Sequence, residues 1–255
     1  MRPNKVKQVL QAGGIATAIA GHSSSAATID FFGPLGFEAF WIEGEHAEVT
    51  WDEIGNMTRA CDLWGMTPIV RVHDNNKGLI TRTLDCGAVG IVVPHVNTKA
   101  DAEKVVQAAK FHPIGKRGFY GGRRAYGNPN YFHEANDETL LIVLIEEVEG
   151  VQNLAEILTV DHIDVFMVVP GDLSQSMGQL AQITHPDVVA TIEASLKQVV
   201  AAGRTAGTLG LPGLMERYVK AGSRFFLQGY DGWIRAGAKA YQEEIAKLAA
   251  VKRKG

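Results

Sequence analysis

The chain has 255 residues, 46% of them hydrophobic and 21% charged, with a net charge of −3. That is ample for one large core and shows no basic excess, which excludes nucleic acid and an anionic membrane as expected partners. No apolar stretch approaches the roughly 20 residues that span a bilayer, and the opening MRPNKVKQVLQAGG lacks the apolar centre of a signal peptide.

In chain order, the polar opening reads as a lead-in helix, followed by apolar strand-like runs at 15–20 and 39–43. A helical pattern at 52–64 leads to a strand at 68–72, and another at 76–85 leads to a strand at 89–94. A helix at 98–110 is followed by the glycine- and aromatic-rich stretch GKRGFYGGRRAYGNPNYF, of the kind that lines or covers a site at a barrel rim. Strands at 141–146 and 165–169 flank a helix at 151–158. A helix at 186–202, a strand at 205–208, a helix at 213–221, a strand at 224–228 and a helix at 233–251 complete the series. The tail VKRKG reads as a solvated helix end.

Strand alternating with helix predicts a parallel sheet. Eight units in a chain near the usual size of about 250 residues favour a single (β/α)8 TIM barrel spanning 1–255. No GxGxxG follows the first strand, which weakens a dinucleotide-binding alternative. Cys61 and Cys86 are the two cysteines and read as free thiols, so a soluble cytoplasmic protein is expected.

In such a barrel all strand exits share one face, so residues distant in sequence meet there. The second strand ends in EGEH, offering Glu43, Glu45 and His46, and the third ends near Arg71. LLIVLIE ends on Glu146, and DVFMVVPGD ends on Asp172. Glu146 and Asp172 are hard oxygen ligands suited to Mg²⁺ or Mn²⁺, with Co²⁺ tolerated. Arg71 offers a planar fork for a carboxylate, and His46 is the natural general base, with Glu43 placed to orient it. Bland readings compete: Asp172 also suits a helix cap, and Arg71 a surface ion pair. Of Glu43 and Glu45, one is expected to point away from the site. His22 and Ser23 follow the first strand and are further candidates for substrate contact, whereas His112, His133, His162 and His185 read as surface residues. No lysine falls in a predicted strand, which disfavours Schiff-base chemistry.

The segments WIEGEHAEVTWDEI, PIVRV, LDCGAVGIVVPHVNTKADAE, GKRGFYGGRRA, LIEEVEGVQNL, VVPGDLSQSMG and AGSRFFLQGYD cover nearly the whole chain. Together they resemble the HpcH/HpaI aldolases, metal-dependent class II pyruvate aldolases. The resemblance implies a barrel of the phosphoenolpyruvate/pyruvate-binding type, often a hexamer built from dimers that exchange the final helix. It implies Glu146 and Asp172 as ligands of a divalent cation (Mg²⁺, Mn²⁺ or Co²⁺) and Arg71 as the clamp on pyruvate. It also implies His46 as base paired with Glu43, and Asp85 as an acid presented to the neighbouring subunit's site. Gly171 would contact the pyruvate carboxylate, and Leu209 the aldehyde. Glu43 stands where the family commonly has aspartate, VVPG where IGPA is common, and Leu144 where some members have glutamine.

The expected reaction is reversible retro-aldol cleavage of a 4-hydroxy-2-oxo acid to pyruvate and an aldehyde. The alternatives are a citrate-lyase-β-like lyase of CoA thioesters and a non-catalytic ligand-binding barrel. The arginines of the loop at 121–124 raise an acidic aldehyde as one option, with plain surface arginines as the other.

Overall fold

Runs rich in valine, isoleucine and leucine form eight parallel strands that pair in chain order and close on themselves. They are β1 (Ala16–Ala20), β2 (Ala39–Glu43), β3 (Thr67–Arg71), β4 (Gly90–Val93), β5 (Leu140–Ile145), β6 (Val165–Val168), β7 (Ala206–Leu209) and β8 (Ser223–Gly229). β1 pairs with β8 from Ala16–Phe225 to Ala20–Gly229, so the sheet has no free edge. The result is the predicted (β/α)8 barrel. The computed structural model describes residues 1–251; of the tail VKRKG read as a solvated helix end, residues 252–255 lie outside the described residues.

The helices are α1 (Lys5–Gln11), α2 (Ala26–Phe32), α3 (Trp51–Leu63), α4 (Lys77–Asp85), α5 (Lys99–Ala109), α6 (Gly122–Ala125) and α7 (Tyr131–Glu138). After β5 come α8 (Val148–Gln152), α9 (Leu154–Ile157), α10 (Pro170–Ser176), α11 (Pro186–Ala201), α12 (Met215–Lys220) and α13 (Tyr230–Val251). Thr50 and Thr98 open α3 and α5 with capping boxes closed by Glu53 and Asp101. The short helices α2, α6 and α7 lie where the sequence pattern predicts none, and α10 starts at Pro170, ahead of Asp172, where the capping alternative placed a helix after it. One or two turns give an apolar period too few repeats to show. The helix expected at 151–158 instead starts at Val148 and breaks at Asn153, whose Nδ2 donates to the Asn97 carbonyl at 2.9 Å.

Strand residues alternate between two cores. Ala39, Trp41, Ile69, Leu140, Ile142, Leu144 and Met167 point inward and fill the barrel. Phe40, Ile42, Val70, Leu141, Val143 and Phe166 point outward against the helices. Among the described residues no lysine lies in a strand; the buried Lys110 follows α5 and donates to the carbonyls of Asn136 and Thr139, each at 2.6 Å, before β5 begins. Cys61 and Cys86 are free thiols. No helix of the described residues is long and apolar enough to cross a membrane.

Candidate active site

The alternation that fills the barrel also aims its last side chains. Glu43 follows Ala39 and Trp41 in step, and Arg71 follows Ile69. The inward series of β5 is Leu140, Ile142 and Leu144, and Glu146 continues it one residue past the strand's end. Three polar side chains from β2, β3 and β5 therefore reach the barrel mouth from inside.

Arg71 sits between two carboxylates. Its Nε donates to both oxygens of Glu43, at 3.0 and 2.8 Å, while Nη2 lies 2.8 Å from Glu43 Oε2 and Nη1 lies 2.8 Å from Glu45 Oε2. The expected divergence of Glu43 and Glu45 does not occur: residues two apart along an extended chain face the same side, and both carboxylates reach Arg71. The Gly44 N–H donates to the Arg71 carbonyl at 3.0 Å, and a Cβ at Gly44 would lie 2.5 Å from that oxygen. Only glycine fits this close approach of β2 to β3.

The Glu43 carboxylate does not meet the His46 imidazole. It accepts the backbone N–H groups of Glu45 at 2.8 Å and His46 at 3.1 Å, and the Trp41 Nε1–H at 3.2 Å. Burial works against its charge, but Arg71 and the two backbone N–H groups outweigh that and hold its carboxyl below the ordinary 4.5. The His46 ring is 60% exposed, with Nε2 3.9 Å from Glu45 Oε2.

Glu146 and Asp172 do come together. With His95 they offer ligand atoms that all lie within 4.8 Å of one another. Asp172 is the third residue of α10; Val169 holds the cap position, so the capping alternative is not what the structure shows. Glu146 is 2% exposed, and burial pushes its carboxyl up to about 7 against the opposing pull of the His95 N–H, which donates to Oε1 at 2.9 Å. For this desolvated carboxylate beside a second one, His95 and Arg71 do not offset burial, and a divalent cation would supply the missing positive charge. The donor set of two carboxylates and one imidazole fits such an ion.

His95 is the residue that sequence reasoning missed. It follows Pro94 at the exit of β4, so the strand-exit rule could have found it. Its backbone is left-handed, with φ of 52°. Nδ1 lies 2.7 Å from Glu147 Oε1, and Glu147 also accepts from Asn97 Nδ2 at 2.9 Å. Burial lowers the imidazole's proton affinity, but Glu146, Glu147 and Glu45 outweigh it and raise the pKa above its ordinary value.

The remaining predicted residues are scattered. Asp85 ends α4, which runs back from the strand exits, so it lies at the opposite end of its own barrel, 2.8 Å from Arg117 Nη2. Gly171 is in the first turn of α10, whose N–H groups have no partner within the helix. Leu209 ends β7 and packs against the barrel interior. Arg123 and Arg124 are engaged by Asp62, at 2.6 and 2.8 Å. His22 faces Asp231 at the start of α13, with Nδ1 3.5 Å from Oδ2. His112, His133 and His162 are exposed, and His185 is half-buried.

Residues 21–235 match the family model described as HpcH/HpaI aldolase/citrate lyase. The chain is 36% identical over 214 residues to the 2-keto-3-deoxy-L-rhamnonate aldolase of Klebsiella pneumoniae, an overlap covering 82% of this chain and 80% of that protein. It is 34% identical over 207 residues to the 2-dehydro-3,6-dideoxy-6-sulfogluconate aldolase of Pseudomonas putida, covering 80% and 81% respectively. The crystal structure of an HpcH/HpaI aldolase from Desulfitobacterium hafniense superposes with a TM-score of 0.88 at 25% identity, over 94% of this chain and 95% of that one.

Proposed function

Because the chain belongs to the HpcH/HpaI aldolase/citrate lyase family, we infer that it is a class II aldolase, a carbon–carbon lyase that reversibly cleaves a 4-hydroxy-2-oxo acid to pyruvate and an aldehyde. The observation that carries the mechanism is the convergence of Glu146, Asp172 and His95 beside Arg71. Glu146 and Asp172 would hold a divalent cation, Mg²⁺, Mn²⁺ or Co²⁺, with His95 next to it. When bound, such an ion acts as a Lewis acid on the 2-oxo acid.

Arg71 binds the substrate's carboxylate and keto oxygen. A guanidinium carries five N–H donors, more than its contacts with Glu43 and Glu45 occupy, so the fork keeps donors for substrate. Glu43 and Glu45 hold that fork still, and the first-turn N–H groups at Gly171 receive the pyruvate carboxylate. His46 takes the proton from the 4-hydroxyl, directly or through water. The C3–C4 bond then breaks, its electron pair passes to pyruvate C3 as the enolate, and Arg71 stabilises the charge on the keto oxygen. Leu209 lies along the aldehyde's path.

We assign Asp85 to the neighbouring subunit's site in a homo-oligomer, a hexamer of three dimers. Its place far from its own barrel mouth supports this. So does α13, which exposes Trp233, Ile234, Tyr241, Ile245 and Leu248, an apolar face suited to exchange between subunits.

The test is pyruvate release from a 4-hydroxy-2-oxo acid, without CoA, before and after exhaustive chelation. Activity should vanish with chelation, return with Mn²⁺ or Mg²⁺, and fail to return in Glu146→Gln. Arg71→Ala should lose about 10²–10³-fold in kcat/KM. Full turnover after chelation would overturn the reading.

A further inference from the structure

His95 brings a nitrogen donor to a site otherwise made of oxygen. A ring nitrogen of His95 and one carboxylate oxygen each from Glu146 and Asp172 lie within 4.8 Å of one another, a spacing that a single ion can bridge.

The chain around β4 and β5 aims that ring. The His95 backbone is left-handed at φ 52°, uncommon for a residue with a side chain, and its N–H donates to Glu146 Oε1 at 2.9 Å. One residue thus ties down a carboxylate with its backbone and presents an imidazole beside it. Glu147 Oε1 lies 2.7 Å from His95 Nδ1, and Glu147 Oε2 accepts from Asn97 Nδ2 at 2.9 Å. The Asn97 carbonyl is held in turn by Asn153 Nδ2 at 2.9 Å. A carboxylate on one ring nitrogen is how metal-bound histidines are oriented, since it fixes the tautomer and leaves the lone pair on the other nitrogen. Here that other nitrogen is Nε2, whose contact with Glu45 Oε1 is a loose 3.5 Å.

The competing role is a brace, an imidazole that links Glu45, Glu146 and Glu147 and touches no ion. The two roles differ in their chemistry. Imidazole nitrogen favours the later first-row ions, whereas Mg²⁺ takes oxygen donors. A ligand therefore tunes metal preference, and a brace supports every ion alike.

We propose that His95 is a third protein ligand of the ion, positioned by Glu147 and Asn97, and that its imidazole shifts the preference of the site from Mg²⁺ towards Co²⁺. The proposal rests on the metal site of the aldolase reading and names the donor that tunes it.

The experiment reads metal binding by the full chain directly. Pulsed EPR of the Mn²⁺-loaded protein should show the coupling of one directly bound imidazole nitrogen. His95→Gly removes the ring and keeps the left-handed backbone unstrained, and it should abolish that coupling. In calorimetry the same variant should lose at least about tenfold in Co²⁺ affinity while its Mg²⁺ affinity changes by less than about threefold. Glu147→Gln should weaken Co²⁺ binding by about tenfold and keep the nitrogen coupling. No nitrogen coupling in wild type, or a Co²⁺ loss in His95→Gly no greater than the Mg²⁺ loss, would overturn the ligand and leave the aldolase reading and its two carboxylates in place. Co²⁺ bound as tightly by Glu146→Gln as by wild type would overturn the metal site and this inference with it.

Discussion

Glu43 carries more of the site than its neighbours do, since one carboxylate engages Arg71, Trp41 and two backbone N–H groups. Its pKa lies below 4.5 in the folded chain, so the stability it contributes is present above pH 4.5 and is lost as the pH falls through the folded value. Glu43→Gln should therefore unfold with a shallower acid limb than wild type below pH 4.5, and should bind pyruvate more weakly because Arg71 loses a brace. Identical acid limbs in the two proteins would show that the carboxylate's charge is not used. Glu146 is shifted the other way, to about 7. A cation must displace that proton, so Mn²⁺ affinity should fall as the pH drops below about 7, by up to about tenfold per unit for one proton. Titration calorimetry checks this, and a flat profile would contradict it.

At the scale of elements, the turn after β2 decides the geometry. Gly44 brings the end of β2 against the Arg71 carbonyl, and Glu45, in phase with Glu43, reaches the same guanidinium. Gly44→Ala should cost about 1–3 kcal/mol by overpacking and should also lower activity, because the new Cβ must displace the strand end that carries Arg71. Thermal melts and kcat/KM measure the two effects, and an unchanged variant would show that the turn can relax. The strands were legible because an apolar run in a parallel barrel repeats one simple pattern. The partners after β2 were not: the spacing of Glu43 and Glu45 puts both on one face, but nothing in EGEH reveals that both close on the Arg71 guanidinium. The start of α10 was equally hidden: a helix beside Asp172 was one reading of the sequence, but its 7 residues hold too few turns to show that it begins at Pro170.

For the whole molecule, Asp85 is the informative residue. It cannot reach the mouth of its own barrel, since α4 ends at the far side. If it serves a neighbour, mixing inactive Asp85→Asn and Glu146→Gln subunits should restore part of the activity, because some sites would pair an intact mouth with an intact Asp85. Mass photometry reports whether mixed oligomers form. Mixed oligomers without recovered turnover would remove Asp85 from the site.

The sequence by itself determined the eight-stranded alternation, the inward phase of Glu43, Arg71 and Glu146, and the nearness of Asp172 to a strand exit. Those follow from local periodicity and from closure of a parallel sheet, which sends every exit to one face. Only the tertiary structure decided which partners these groups take: that Glu43 holds Arg71 and not the His46 ring, that Glu45 joins it, and that His95 stands with Glu146 and Asp172. Partner choice depends on turn geometry and on distances of a few ångströms between strands, and neither is written in the order of residues along one strand.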